Sequence, residues 1–274
     1  IGSMGDDTPL AVLSEGYRPL SHFFRQNFSQ VTNPPIDALR ETAVMSLKTR
    51  FKNLGNILAQ DETQTDVYVL ESPILTNGMY DRFRGVLGEK TAAVIDCTFP
   101  LPAPGAAPGA ALRANLDRIR AEAEEAALSG RTQIVLTDEA AGPDACALPM
   151  VLATGGVHSH LVARGLRSYV SIIVRSAECV DTHGFAVLIG VGATAVNAWL
   201  AQETFQDRLE RGLMGDLSLR DACLNFKKGI EAGLLKIISK MGISVISSYR
   251  GGSNFEAIGL SRALVAEFFP SMNS

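Results

Sequence analysis

Apolar residues fall into two recurring patterns along this chain. Short runs rich in Val, Ile and Thr, without strict alternation, stand at residues 91–99, 133–137, 169–175, 186–190 and 243–247. Such runs read as strands buried on both faces. Between them, apolar positions recur at helical spacing. Leu112, Leu116, Ile119, Ala123 and Ala127 predict a helix over 111–128, ended by Gly130, and Ile230, Leu234, Ile237 and Ile238 predict another over 220–240. Further helices are expected at 148–164 and 193–205, and a last short segment with a helix from 255 onward. The stretch 100–110 (PLPAPGAAPGA) reads as a loop and 206–219 as a polar, hairpin-like connection. Strands alternating with helices, about five or six of the former, predict an α/β fold with a parallel sheet. A (β/α) barrel, a partial barrel and an open doubly wound sheet all satisfy the pattern.

The N-terminal part reads differently. Residues 1–16 look like a linker from a preceding domain, and the start at Ile1 suggests an excerpt from a longer polypeptide. Residues 17–86 form a helical and extended segment, and 87–274 the α/β unit. Asn33-Pro34-Pro35 breaks regular structure, and Asp37 then caps a helix expected over 37–50.

Composition narrows the function classes. With 274 residues, 46% hydrophobic and 20% charged, the chain buries a core without staples. A net charge of −4 and the lack of a basic cluster argue against nucleic acid, and no apolar run reaches the roughly 18 residues of a membrane span. Cys97, Cys146, Cys179 and Cys223 are scattered, which fits a reducing, cytoplasmic setting better than a disulfide framework.

Three features carry candidate chemistry. His158 and His160 stand at i and i+2 on a predicted helix, about 200° apart, so they do not share a metal; one facing a neighbouring layer and one in solvent is the plainer reading. Arg250-Gly251-Gly252 leaves the predicted strand 243–247, where a Gly-rich turn with an arginine suits a phosphate. The same letters fit a tight turn with Arg250 paired to a carboxylate. Third, Thr76-Asn77 closes the run ESPILTN with neutral donors and acceptors that suit a wet passage, although Asn77-Gly78 also reads as a simple turn. No GxSxG, Walker pattern or thiol beside a histidine is present, and Glu122 to Glu125 read as a solvated helix face.

Longer strings add a resemblance. RPLSHFFRQNFSQVTNPPIDALRETAVMSL, VLESPILTN, DCTFP, EAEEAALSG, VHSHLVARGLRSYVSIIVRSAE, FAVLIGVGATAVNAWLAQET and GLLKIISKMGISVISSYRGGSNFEAIGL follow one another in order. Together they resemble the central domain of the glutamate synthase large subunit, collinearly from Gly5 to about Phe269. The resemblance implies a degenerate barrel similar to the FMN-binding barrel, with no catalytic, cofactor or metal residue of its own. It implies a parent chain that carries an amidotransferase domain and an FMN domain with an iron–sulfur cluster. That parent would draw on NADPH, through a small reductase subunit, or on ferredoxin. It further implies a share in the wall of an internal ammonia tunnel, placed by motif position at Met45, Ser46, Thr76 and Asn77. The rival expectation is a barrel enzyme or phosphate binder that uses the Arg250-Gly251-Gly252 loop.

Overall fold

The computed structural model describes residues 8–27, 34–52, 55–56, 58–88 and 91–274. The start of the expected linker, residues 1–7, and Asn33 of the proline breaker lie outside the described residues. In chain order the elements are β1 (Phe24–Gln26), α1 (Glu41–Val44), β2 (Thr49–Phe51), β3 (Tyr68–Leu70), α2 (Asn77–Leu87), β4 (Ala92–Asp96), β5 (Thr98–Pro100), α3 (Pro108–Leu128), β6 (Gln133–Thr137) and β7 (Ala145–Ala147). They continue as α4 (Met150–Ala163), β8 (Ser171–Arg175), α5 (Thr182–Gly190), β9 (Ala195–Asn197), α6 (Trp199–Glu210), α7 (Leu219–Lys240), α8 (Ile246–Tyr249), β10 (Phe255–Ala257) and α9 (Arg262–Phe268).

At the centre lies a parallel sheet in the order β4-β6-β8-β9. Every residue of β6 and β8 is buried, which is why their sequences run apolar without alternation. Strands follow one another in space as in sequence, each joined to the next through a helix, as in part of a (β/α) barrel. The sheet stays open: among the described residues β4 has no second partner within it. Residues 73–75 extend the other edge, where Leu75 N–H donates to Val196 O and Val196 N–H to Pro73 O.

The two faces of this sheet are filled from different parts of the chain. Ile134, Leu136, Ile172, Val174 and Val196 join the large core built with α3, α4 and α5. On the opposite face Val135, Ile173 and Ala195 pack against Phe51, Leu75, Tyr80 and Phe83. That second face corresponds to the interior of a barrel, and here aromatic side chains from β2 and α2 plug it. The N-terminal segment is further tied down by β1 against β10 and by Ile36 N–H donating to Ser239 O.

Several expectations need correction. The run 186–190 is not a strand but the end of α5, a helix apolar all round because its residues Gly184–Gly190 are buried. Periodicity alone cannot separate such a short run from a strand. The helix expected over 193–205 yields 195–197 to β9 and starts at Trp199. Residues 243–247 form no strand: only Val245 bridges, to Ser46, before α8 begins. The helix expected over 37–50 shrinks to α1, because residues from Ser46 onward pair with 244–246 and with β3. Asn77-Gly78 is not an isolated turn but the first turn of α2, and 206–219 contains no strand.

Helix α4 gives a test of this packing. Gly155 is buried within it, and a Cβ there would lie 2.3 Å from Phe269 Cε1 and 2.6 Å from its Cδ1. Alanine is favoured over glycine in a helix by about 1 kcal/mol, but overpacking costs about 1–3 kcal/mol. The clash is the larger effect, so Gly155→Ala is expected to lower the urea midpoint; a raised midpoint would show that Phe269 moves aside freely.

Candidate functional site

In parallel α/β folds the carboxyl ends of the strands are where ligand-binding side chains gather. Here those ends carry Asp96, Asp138, Glu139, Arg175 and Asn197, and most of them bond to one another. Arg175, 7% exposed, donates from Nε and Nη2 to both oxygens of Glu139 at 2.8 and 2.7 Å. Its Nη1 donates to Asn197 Oδ1 at 2.7 Å, and its guanidinium stacks over Tyr80 and Trp199. Asn197 Nδ2 then donates to Leu75 O and to Asn77 Oδ1. Asp138, fully buried, accepts from Trp199 Nε1 at 2.8 Å and from the Ala177 amide. The mouth of the sheet is thus filled by side chains that satisfy one another.

The electrostatics follow from burial. Burial raises the Asp138 carboxyl, against the lowering bonds from Trp199 and Ala177. Hydrogen bonding to Arg175 holds Glu139 below the usual carboxylate range. A carboxyl whose folded pKa is raised binds its proton more readily folded than unfolded. Its contribution to stability is therefore largest at low pH and is lost as pH rises through the folded pKa. Asp138→Asn removes that titration and leaves one donor facing the Ala177 amide. The deficit of Asp138→Asn relative to the unsubstituted chain is expected to grow as pH falls from neutrality through the raised pKa of Asp138. A deficit that shrinks on acidification would contradict the buried, raised carboxyl.

Thr76 and Asn77 sit beside this network. Thr76 caps α2, its Oγ1 accepting from Met79 N–H at 3.2 Å. The Asn77 amide donates to Gln202 Oε1 at 2.8 Å, and its Nδ2 to Trp199 O. Both residues line a cleft of about 670 Å³ between α2, α6 and α7. Its wall includes Met79, Gln202, Leu219 and Leu224, with Arg82 and Arg220 as cations and Glu203 as its one carboxylate.

The other predicted residues lie elsewhere. Met45 packs on the large core, and Ser46 exchanges backbone hydrogen bonds with Ser244 and Ile246. Neither lines the cleft of Thr76 and Asn77. Among the described residues no carboxylate pairs with Arg250; it donates from Nη2 to Thr49 Oγ1. Gly251 and Gly252 border a separate cavity with His158. The two histidines do point apart: His158 accepts from Arg167, while His160 meets Glu124, which also takes Arg164. Glu124 is therefore not simply solvated. No cluster of His, Cys, Asp or Glu suited to a metal ion occurs among the described residues, and no helix there is long and apolar enough to cross a membrane.

Asp138, Arg175, Asn197, Trp199 and Gln202 were not singled out by the sequence patterns. Their one signal is position: Arg175 and Asn197 end short buried strands, Asp138 follows one, and Trp199 and Gln202 stand in the first turn of the helix after another.

The family model described as "Glutamate synthase central domain" matches residues 1–261. The chain is 62% identical, over its full length, to the glutamate synthase [NADPH] large chain of Azospirillum brasilense, and spans 18% of that protein. It is 40% identical to the chloroplastic ferredoxin-dependent glutamate synthase of Spinacia oleracea over 96% of this chain and 17% of the relative. With the Bacillus subtilis NADPH large chain it shares 37% identity over 98% of this chain and 17% of the relative. Among solved structures, a flavocytochrome b2 variant with pyruvate bound aligns over 57% of this chain and 36% of its own, at 13% identity and a TM-score of 0.41. The chain belongs to the glutamate synthase central domain family.

Proposed function

We propose that this chain is the connecting domain of a glutamate synthase, non-catalytic by itself, which contributes part of the wall of an ammonia passage. The parent enzyme would turn glutamine, 2-oxoglutarate and reductant into two glutamates. An amidotransferase domain would release ammonia and an FMN domain with an iron–sulfur cluster would reduce the imine. Both would belong to the same polypeptide, of which relatives devote 17–18% to this region. The reductant would be NADPH, delivered through a small reductase subunit, or ferredoxin. The reading carries a cytoplasmic setting, which the four free thiols suit.

The observation that carries this reading is the filled mouth of the sheet. Where a barrel enzyme would keep an open pocket, Asp138, Arg175, Asn197 and Trp199 bond to each other. On its other face Phe51, Tyr80 and Phe83 plug what would be the barrel interior. These residues do not fit a flavin at that position.

Ammonia must travel unprotonated, because ammonium has no lone pair with which to attack a carbonyl. A suitable wall is apolar or neutral, and cations on it disfavour ammonium further. The cleft at Thr76 comes near that description: Met79, Leu219 and Leu224 are apolar, and Arg82 and Arg220 outnumber its one carboxylate, Glu203. Thr76 is the stronger candidate of the pair, because the Asn77 side chain is already engaged by Trp199 and Asn197. Met45 and Ser46 would serve the passage from a second position near 244–246. Alanine at Thr76 keeps the cleft open, so bulk at this position is the variable that Thr76→Trp in the full-length parent enzyme tests.

A further inference from the structure

Helix α4 starts inside the protein without a side-chain cap. Pro149 precedes it and supplies none, and the first amide bonded back to the helix start is Ala153 N–H, to Pro149 O. The amides before it need other acceptors. Met150 N–H has one in Glu178 Oε2, at 3.1 Å. Val151 is 4% exposed, and among the described residues its N–H has no hydrogen-bond partner. Buried backbone donors are nearly always paired in native proteins, so this helix end lacks an acceptor.

A second group at the same place has the same deficit. Ser176 follows β8 directly and is fully buried, and its Oγ has no partner. Ser176, Glu178, Met150 and Val151 line one small pocket, together with Ser21 and Gly184. The pocket measures about 10 Å³, close to the room that one water needs. That size excludes phosphate, a free carboxylate or any larger organic group. The chemistry narrows the choice further. The positive end of a helix disfavours a cation, and Glu178 disfavours an anion. A neutral molecule that both accepts and donates suits amide, hydroxyl and carboxyl alike.

We propose that this pocket binds one ordered water as a structural part of the domain, accepting from the Val151 amide, sharing a hydrogen bond with Ser176 Oγ and donating to the Glu178 carboxyl. The water completes the cap of α4 and ties it to the loop after β8. The same loop carries the Ala177 amide that bonds Asp138, and Ser176 N–H donates to Asn197 O, so the water steadies the sealed mouth of the sheet. The inference stands apart from the connecting role and needs no ammonia passage.

The test joins a crystal structure of the full-length parent enzyme, at a resolution that shows ordered waters, to hydrogen exchange of that enzyme and its Ser176→Ala variant. A water peak within hydrogen-bonding distance of Ser176 Oγ and the Val151 amide is expected. Exchange supplies the sign. An orphaned buried hydroxyl is a burden, so removing it would tighten the region and slow exchange at the start of α4. A hydroxyl that holds a water is a partner, and its loss should speed exchange there by about two- to tenfold. An empty pocket in the crystal, an ion or a side chain from elsewhere in the polypeptide in its place, or equal or slower exchange in Ser176→Ala overturns the proposal. Should the variant not fold, the crystal structure of the unsubstituted enzyme decides alone.

Discussion

Placing tryptophan at Thr76 in the full-length parent enzyme is expected to separate glutamine hydrolysis from glutamate formation. The indole would project into the cleft between α2, α6 and α7, which Thr76 lines. Glutamine hydrolysis should change by less than about twofold, while glutamine-dependent glutamate formation falls about tenfold or more. The substitution also removes a helix cap, since Thr76 Oγ1 accepts from Met79 N–H, and cap loss alone costs about 1 kcal/mol. Thr76→Ala controls for this: it loses the cap but adds no bulk, so its coupling should stay near that of the unsubstituted enzyme. Equal coupling in Thr76→Trp and the unsubstituted enzyme would remove this residue from the passage.

Arg175→Met should produce the largest loss of stability. The methionine roughly matches the length of the arginine but leaves Asn197 Oδ1 and both oxygens of the Glu139 carboxylate without the donors that Arg175 supplies. The stacking on Tyr80 and Trp199 is reduced as well. Breaking a mostly buried charge network from one side costs about 3 kcal/mol. For a chain of this size that corresponds to about 6–12 °C in Tm. Glu139→Gln removes the partner whose side chain is 48% exposed, and should cost less than about 1 kcal/mol. The ordering matters more than either figure: a Glu139 variant as damaging as the Arg175 variant would mean that the ion pair, not the buried link to Asn197, holds the mouth together.

How far the sequence reaches can be judged from particular elements. β6 and β8 were readable because both faces are covered and their residues are uniformly apolar. For the same reason α5 was misread, since a helix buried all round has no polar stripe to reveal its period. Residues 243–247 look strand-like, yet most of their backbone is claimed by the end of α7 and by α8. At the site, Thr76-Asn77 stood out because the run that ends there closes on two polar residues. The network around it did not, because it joins Asn77 to Gln202 across 125 positions and Trp199 to Asp138 across 61. No local pattern encodes such distances. The Arg167–His158–Arg250 cluster was hidden in the same way: the arginine loop was visible, but its nearness to His158 arises only through Gly192 and Gly251, whose missing side chains let the imidazole in.

The domain is thus a barrel fragment whose usual reaction end is sealed by its own side chains. The most direct measurement is an experimental structure of the full-length parent chain with its flavin bound. The connecting role predicts a continuous internal passage that runs along the cleft at Thr76 and Asn77, with the flavin held wholly by residues outside this domain. A flavin or substrate seated among Asp138, Arg175 and Asn197, or a cleft at Thr76 that opens only to bulk solvent, would contradict it.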